Sequence, residues 1–432
     1  MVMKMTYRKR ILQIALPAMA ENVLQMLMGV IDNYFVAHIS LAAVSGVAIA
    51  NNIITLYQAL FIAMGSAISS LLARSIGQGD EGRELKYMAD AIMLTLLLSI
   101  FIGLLNLVFG RPILVALGAR SQVLGNGYSY LLVVGGQMVA LAMLTTLGAI
   151  VRVKGLAKIP MHVSLLTTIL NALMSGLSIY VFDLGVLGVA WSTVLSRWIG
   201  IMILASFLPM RAIIRKMKVS LNLEMLSLAL PAAGERIMMR LGDLFILMIV
   251  VHLGTRIVAG NAIGESISQF NYMPGMAVAT ATLIPIAQFL GSQKDDDIEP
   301  FVKEAFKLST IIMVIFSLFI FLLSSTLIAY FTEDKIASNA ARVVLFFSMI
   351  SAPATSGTLV YTAVWQGLGN SKLPFYATTI GMWFVRILLG YFLAIQLRLG
   401  LEGVWLATAM DNTSRWFILK RQFDKREKFQ AN

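Results

Sequence analysis

The chain has 432 residues, 58% of them hydrophobic and only 13% charged, and it contains no cysteine. Soluble domains carry about 25% charged residues, so this composition, with a mean hydropathy of +0.82, excludes a soluble enzyme and any disulfide framework and defines an integral membrane protein. The formal net charge of +12 has no soluble basic domain to occupy, so it reads as anchorage to an anionic leaflet in preference to nucleic-acid binding.

Crossing about 30 Å of hydrocarbon at 1.5 Å per residue takes about 20 apolar residues, and such runs recur about twelve times. The predicted spans are 11–38, 47–74, 88–109, 128–150, 161–182 and 185–208, then 225–251, 262–290, 302–331, 342–366, 374–396 and 401–418. Several exceed about 25 residues, which implies tilt, kinks or helix beyond the hydrocarbon. The first run is long and carries Glu21 and Asp32, which argues against a cleaved signal peptide. Lys and Arg concentrate before the first span, in the even-numbered loops and after the last span, so the positive-inside rule places both termini in the cytoplasm. The fold class that follows is an all-α membrane protein with a lobe over 1–208, a linker over 209–224, a second lobe over 225–418 and a basic tail over 419–432. The linker, with Arg211, Arg215, Lys216 and Lys218, suits a short amphipathic piece on the inner surface, and the tail reads likewise.

The two halves repeat at a constant shift of 214 residues. Leu16-Pro17-Ala18 falls on Leu230-Pro231-Ala232, Glu21 on Glu235, His38 on His252, Gly46 on Gly260 and Gly77 on Gly291. Further on, Gly155, Lys158 and Pro160 fall on Gly369, Lys372 and Pro374. Duplicated lobes of this kind are how many transporters are built.

No catalytic constellation accompanies them. His38, His162 and His252 lie at or near span ends without cysteine or clustered carboxylates at metal-ligand spacing, and no phosphate-cradling Gly-x-x-x-x-Gly-Lys motif is present, so no resident metal or other cofactor is expected. Energy for any transport would come from an ion gradient.

Ionisable groups inside spans are costly, and each is a candidate ligand, relay or structural pair. Glu21, Gln25, Met28 and Asp32 follow at steps of four, three and four and share one face of the first helix. Pro17, just before them, removes a backbone donor and is the candidate hinge. Glu21 reads equally as a cavity residue or as a side chain snorkelling to the cytoplasmic surface. Burial disfavours the charged carboxylate, so proton occupancy at Asp32 would shift the balance between two local packings. In the second half, Arg236, Arg240 and Asp243 stand at steps of four and three, so one arginine can neutralise Asp243 along its own helix. Glu265, with Asn261 one turn earlier, is the better candidate there for substrate contact or coupling. Arg386 has no obvious local partner, and its options are a pairing across the cleft or with Asp411. The 26 methionines and 9% aromatic residues supply soft surfaces suited to varied planar or cationic compounds, although most of the methionines pack helices.

Leu16-Pro17 with Glu21-Asn22, then Met28-Gly29-Val30-Ile31-Asp32-Asn33-Tyr34-Phe35-Val36, resembles the start of the multidrug and toxic compound extrusion (MATE) transporters. Pro231-Ala232-Ala233-Gly234-Glu235-Arg236, Met239-Arg240-Leu241-Gly242 and Asn271-Tyr272-Met273-Pro274-Gly275 resemble their DinF-like prokaryotic branch, and Arg152, Gly155, Pro160 and Gly367-Leu368-Gly369-Asn370 resemble the family's short cytoplasmic loops. The resemblance covers essentially the whole chain. It implies two six-helix lobes around a central cleft, in a prokaryotic inner membrane, exporting amphipathic and often cationic compounds in exchange for protons or sodium. It also implies that Asp32 is the cation-responsive carboxylate, working with Asn171 and Thr193, while Gln25 and Tyr130 line the first lobe's cavity. Where the branch has a second acid, this chain has Ser175. Leu241 and Thr355 stand where the sodium-coupled branch has its second-lobe acids, so a sodium site of that type is not expected.

One buried carboxylate favours one proton per cycle, with a weak sodium site at Asp32, Asn171 and Thr193 as the alternative. Glu21, Asp32 and Glu265 against few cavity cations favour cationic small molecules as cargo, membrane lipids as the surroundings, and a functional monomer, since two lobes already enclose a cleft. A flippase for lipid-linked sugars, from the same wider superfamily, is the alternative function.

Overall fold

In a lipid interior a backbone N–H or C=O finds no partner but its own chain, so each apolar run becomes helix. The computed structural model describes residues 2–218 and 222–431, with side chains placed from Thr6 to Glu427 outside that gap. The first half runs α1 (Val2–Ala37), α2 (Leu41–Gln78), α3 (Glu81–Ala116), α4 (Ser121–Tyr130), α5 (Met138–Val153), α6 (Lys158–Tyr180) and α7 (Gly185–Ser206). The linker forms α8 (Met210–Lys216), and α9 (Leu223–Val251), α10 (Thr255–Gly291), α11 (Ile298–Leu322), α12 (Ser324–Ala329), α13 (Lys335–Ile350), α14 (Ala352–Gly367), α15 (Lys372–Ile380) and α16 (Gly400–Ala431) complete the second half.

Among the described residues, eight helices are long and apolar enough to cross a membrane, and two bent pairs raise that to ten. The remaining two of the twelve spans are α9 and α16, which carry Glu235, Arg236, Arg240 and Asp243 in one case and Asp411 and Arg415 in the other. The runs expected as single spans at 128–150 and 342–366 are instead bent, by 45° between α4 and α5 and by 57° between α13 and α14. The run expected over 302–331 ends early, with a break at Leu323 between α11 and α12. Large apolar side chains left uncovered by protein, such as Phe101 and Val108 on α3 and Ile315 and Leu322 on α11, sit 214 residues apart in pairs and face where lipid would be.

Helix starts repeat at the same shift: Leu41 with Thr255, Ser121 with Lys335, Met138 with Ala352 and Lys158 with Lys372. The shift then becomes 215, because the left-handed turn residues Asp183 and Gly185 recur at Arg398 and Gly400. Between the two registers lies a π-helical stretch, Gly381–Leu389, with no counterpart in α6. A π turn is how a helix absorbs one inserted residue, and that is the arithmetic here.

The chain groups into two units, Ala20–Ala229 in one and Met1–Met19 with Leu230–Asn432 in the other. Thus α1 and α9 each belong partly to both, and each division falls within three residues of the prolines at 17 and 231. Despite Pro17, α1 is continuous, as α9 is through Pro231. The 419–432 tail is not a separate surface piece. It continues α16, and its Leu419 and Phe423 are buried with Tyr7, Ile11, Phe301 and Tyr361 in the core of their unit. The linker helix α8 does behave as an amphipathic piece, with Ile213 buried and Arg211, Arg215 and Lys216 exposed.

Small residues bring helices into backbone contact, the usual means of packing where lipid competes with every apolar side chain. A Cβ on Gly46 of α2 would overlap the Val123 carbonyl of α4, and one on Gly127 would lie 2.7 Å from the Gly46 carbonyl. The repeat reproduces this, since Gly260 of α10 meets the carbonyl of Ala337 of α13. Gly46→Val should therefore cost on the order of 1–3 kcal/mol as overpacking. It should lower the melting temperature in detergent, whereas Gly29→Ala, with nothing within 4 Å, should leave it nearly unchanged.

Candidate functional site

Asp32, five residues before the end of α1 at Ala37, is 3% exposed and receives donors from three other helices of its unit. Asn171 of α6 donates through Nδ2 to Asp32 Oδ1 at 3.1 Å, and Thr193 of α7 donates to Oδ2 at 3.0 Å. The Tyr130 hydroxyl donates to Oδ2 at 3.4 Å from the last residue of α4, one residue before the π turn Leu131–Gly135. Asn171 Nδ2 also lies 3.1 Å from Thr193 Oγ1, which closes the cluster. Three donors onto one buried carboxylate are the arrangement a desolvated charge requires.

Two features give the cluster latitude. The Thr193 hydroxyl has one proton and two acceptors, Asp32 Oδ2 and the Val189 carbonyl at 3.0 Å, so it can serve only one at a time. In addition, Asn171 Oδ1 and Ser175 Oγ are buried one turn apart on α6 without a hydrogen-bond partner. Buried polar oxygens are ordinarily satisfied, so this pair leaves acceptor capacity unused on the helix whose Asn171 holds Asp32. Among the described residues, no group of three or more His, Asp or Glu side chains could hold a metal ion.

The sequence reading missed Arg197. It lies one turn beyond Thr193 on α7 and interacts electrostatically with both Asp32 and Tyr130. Its spacing of four from Thr193 within a predicted span was the available signal.

The rest of the first-helix stripe is more exposed. Glu21 forms an ion pair with Arg152 at 2.5 Å, both side chains mostly covered, which answers its charge within the protein instead of at the surface. Gln25 donates to Glu21 at 3.4 Å and accepts from Gln58 at 3.4 Å, while Met28 is buried between Gln25 and Asp32. His38 and His252 each hydrogen-bond a carbonyl four residues back in their own helices, the Tyr34 and Met248 oxygens, a structural use of both rings.

Glu265 and Asn261 belong to the other unit. Asn261 donates to Glu265 at 3.2 Å and accepts from the Trp405 indole at 2.9 Å. Two expectations there are corrected. Asp243 is neutralised by Arg386, 3.2 Å away on the π segment after α15, and by neither arginine of its own helix. Asp411 pairs with Arg415 at 2.9 Å one turn along α16, so it is not Arg386's partner. Asp243 is thus met from another element by a mostly covered guanidinium, whereas Asp411 is met along its own helix by one that is buried with it. Arg415 also reaches the Thr378 hydroxyl, which donates to the buried Glu235 carboxylate at 3.2 Å, so the repeat mate of Glu21 is held by a network instead of a direct ion pair.

Two repeated six-span sets, with one donor-clamped carboxylate in the first, define a duplicated polytopic membrane protein. A family model described as MatE matches residues 17–177 and 231–392, well over half of the chain, and the two matches open on Pro17 and Pro231. The chain belongs to this family. It is 26% identical over 440 residues to a probable multidrug resistance protein NorM of Thermotoga maritima, covering 97% of this chain and 94% of that protein. It is also 21% identical over 404 residues to the multidrug export protein MepA of Staphylococcus aureus, covering 92% and 89%. A crystal structure of a MATE protein in a bent conformation shares the fold at a TM-score of 0.92 and 20% identity, covering 100% and 98% of the two chains.

Thr193→Val deletes one donor to Asp32 while keeping shape, and a hydrogen bond to a charged group contributes about 1.5–3 kcal/mol. The variant is expected to fold and to lose roughly that much thermal stability in detergent. Ser175→Ala, which removes only an unpartnered hydroxyl, is expected to lose none.

Proposed function

We propose that this chain is a secondary active antiporter that exports amphipathic, cationic organic compounds across the cell membrane in exchange for protons bound at Asp32. The observation that carries the reading is the Asp32 carboxylate clamped by Asn171, Thr193 and Tyr130. The multidrug names of its relatives support the cargo class.

Ionised, Asp32 accepts all three donors. Protonated on Oδ2, it becomes a donor itself. The Thr193 hydroxyl then turns to the Val189 carbonyl and accepts from Asp32, and the grip of α7 on α1 is rebuilt with the opposite polarity. Because α1 belongs to both units, the protonation state at one end of that helix biases its packing along the length. Arg197 supplies a fixed positive charge that the ionised state answers and the protonated state leaves unanswered. A cationic cargo relieves no such charge, so cargo and proton are kept from occupying the pathway for the same reason.

One proton exchanged for one monovalent cation moves no net charge. The membrane potential, about 2.3 kcal/mol per charge per 100 mV, then drops out and only the pH difference drives export. In proteoliposomes, efflux of a fluorescent monovalent cation should respond to an imposed pH gradient and stay unchanged when a potential is clamped with a potassium ionophore. Asp32→Asn should reduce gradient-driven efflux at least tenfold while the protein still folds. Undiminished efflux by that variant overturns the assignment.

The unpartnered Asn171 Oδ1 and Ser175 Oγ favour a second reading, in which sodium binds with Asp32 and Thr193. Efflux driven by a sodium gradient at equal pH would select it. Both termini are proposed to be cytoplasmic. Since the chain has no cysteine, an impermeant maleimide should label Arg120→Cys on intact cells and Arg421→Cys only after permeabilisation.

A further inference from the structure

Within the Ala20–Ala229 unit, at the end of α2 and the start of α3, lies a cavity of about 580 Å³ lined by Arg74, Gln78, Arg83, Lys86, Tyr87 and Asp90, and closed by Asn222 and Glu224 at the start of α9. Its two carboxylates are already engaged by neutral donors: Asn222 donates to Asp90 at 2.7 Å and the Tyr87 hydroxyl to Glu224 at 2.7 Å. Arg83 pairs with Asp80 at 3.2 Å. Arg74 and Lys86 have no hydrogen bond or ion pair among the described residues.

The repeat shows what is missing. Shifted by 214, the same wall in the other unit carries Gln288, Asp297, Pro300, Phe301 and Glu304 in place of Arg74, Arg83, Lys86, Tyr87 and Asp90. Arg8 and Arg10 stand in place of Asn222 and Glu224. There the polarity is reversed and complete: Arg8 pairs with Glu304, Arg10 donates to Gln288 at 2.5 Å, and the Tyr7 hydroxyl donates to Asp297 at 2.6 Å. An acidic wall thus meets a basic helix start. In the first unit a basic wall meets a helix start with a single acid, and both the space and the cations are left over.

We propose that this cavity binds a phosphate group, supplied by the headgroup of an anionic phospholipid. A guanidinium and an ammonium facing one concavity suit a phosphate oxygen set, and the Gln78 amide is a further donor at its rim. The membrane surface is the nearest source. α8, which packs on α3 of the same unit, buries Ile213, exposes Ile214 and carries Arg211, Arg215 and Lys216, the make-up of a segment lying at headgroup level. Basic pockets between helix ends at that depth are where anionic headgroups are held.

The test uses the purified full chain in a neutral detergent at fixed ionic strength. Its melting temperature is followed against dioctanoyl phosphatidylglycerol, dioctanoyl phosphatidylcholine and inorganic phosphate. The phosphatidylglycerol is expected to raise the melting temperature saturably and the phosphatidylcholine not to. Arg74→Gln with Lys86→Gln should raise the half-saturating concentration at least tenfold, while the charge-keeping Lys86→Arg holds it. Arg111→Gln, about 40 Å away at the other end of α3 by helix rise, should behave as wild type. A response to inorganic phosphate at the same concentrations, lost in the same double variant, supports the site and names free phosphate as the source. Equal half-saturation in wild type and double variant, an equal response to phosphatidylcholine, or an equal loss in Arg111→Gln overturns the proposal.

Discussion

A carboxylate taken out of water must be met by donors or by a proton, and Asp32 is met by three donors from three different helices. That requirement ties α1 to α4, α6 and α7 more specifically than apolar packing can, because lipid tails compete with every leucine and no lipid competes for a buried anion. Tyr130 donates from the last residue before the π turn of its span, and Asn171 from the helix that carries the unpartnered Ser175 hydroxyl.

The duplication is the second organising fact, and its exceptions carry the chemistry. Gly46 and Gly260, the two bent pairs, and the left-handed glycines at 155 and 369 are scaffold, and they match. The charges do not. Asp32 is opposed by Ile246 and Arg152 by Gln366, and at the shift of 215 that holds for the last helices Arg197 is opposed by Asn412. Where Glu21 has a direct arginine partner, Glu235 is held through Thr378 and Arg415. Arg386, the partner of Asp243, lies in the π segment that precedes the one-residue change of register.

Much of this could be read from the sequence. Composition gave the medium, apolar run length gave the spans, and a stripe at helical spacing led to Asp32. The resemblance supplied Asn171 and Thr193, because no local pattern joins residues 139 and 161 positions apart. What stayed hidden was of one kind. Pairing between helices, as in Arg386 with Asp243 or Glu21 with Arg152, is set by rotation about helix axes, and spacing along one helix does not encode it. Breaks at Leu323 and near Ser351 also escaped, since Ser324-Ser325-Thr326 and Ser351 with Pro353 are short polar or helix-breaking interruptions inside runs that are apolar as a whole. The burial of the tail escaped for the opposite reason: Leu419 and Phe423 are isolated among charges and look like surface.

The physical units and the repeated halves do not coincide. The first nineteen residues fold with the second half, and the opening of α9 up to Ala229 folds with the first. Each half lends its opening turns to the other, which is the exchange seen in a domain-swapped dimer. A gene cut at the linker would yield two fragments, each missing a piece of its own core, so neither half is an independent folding module.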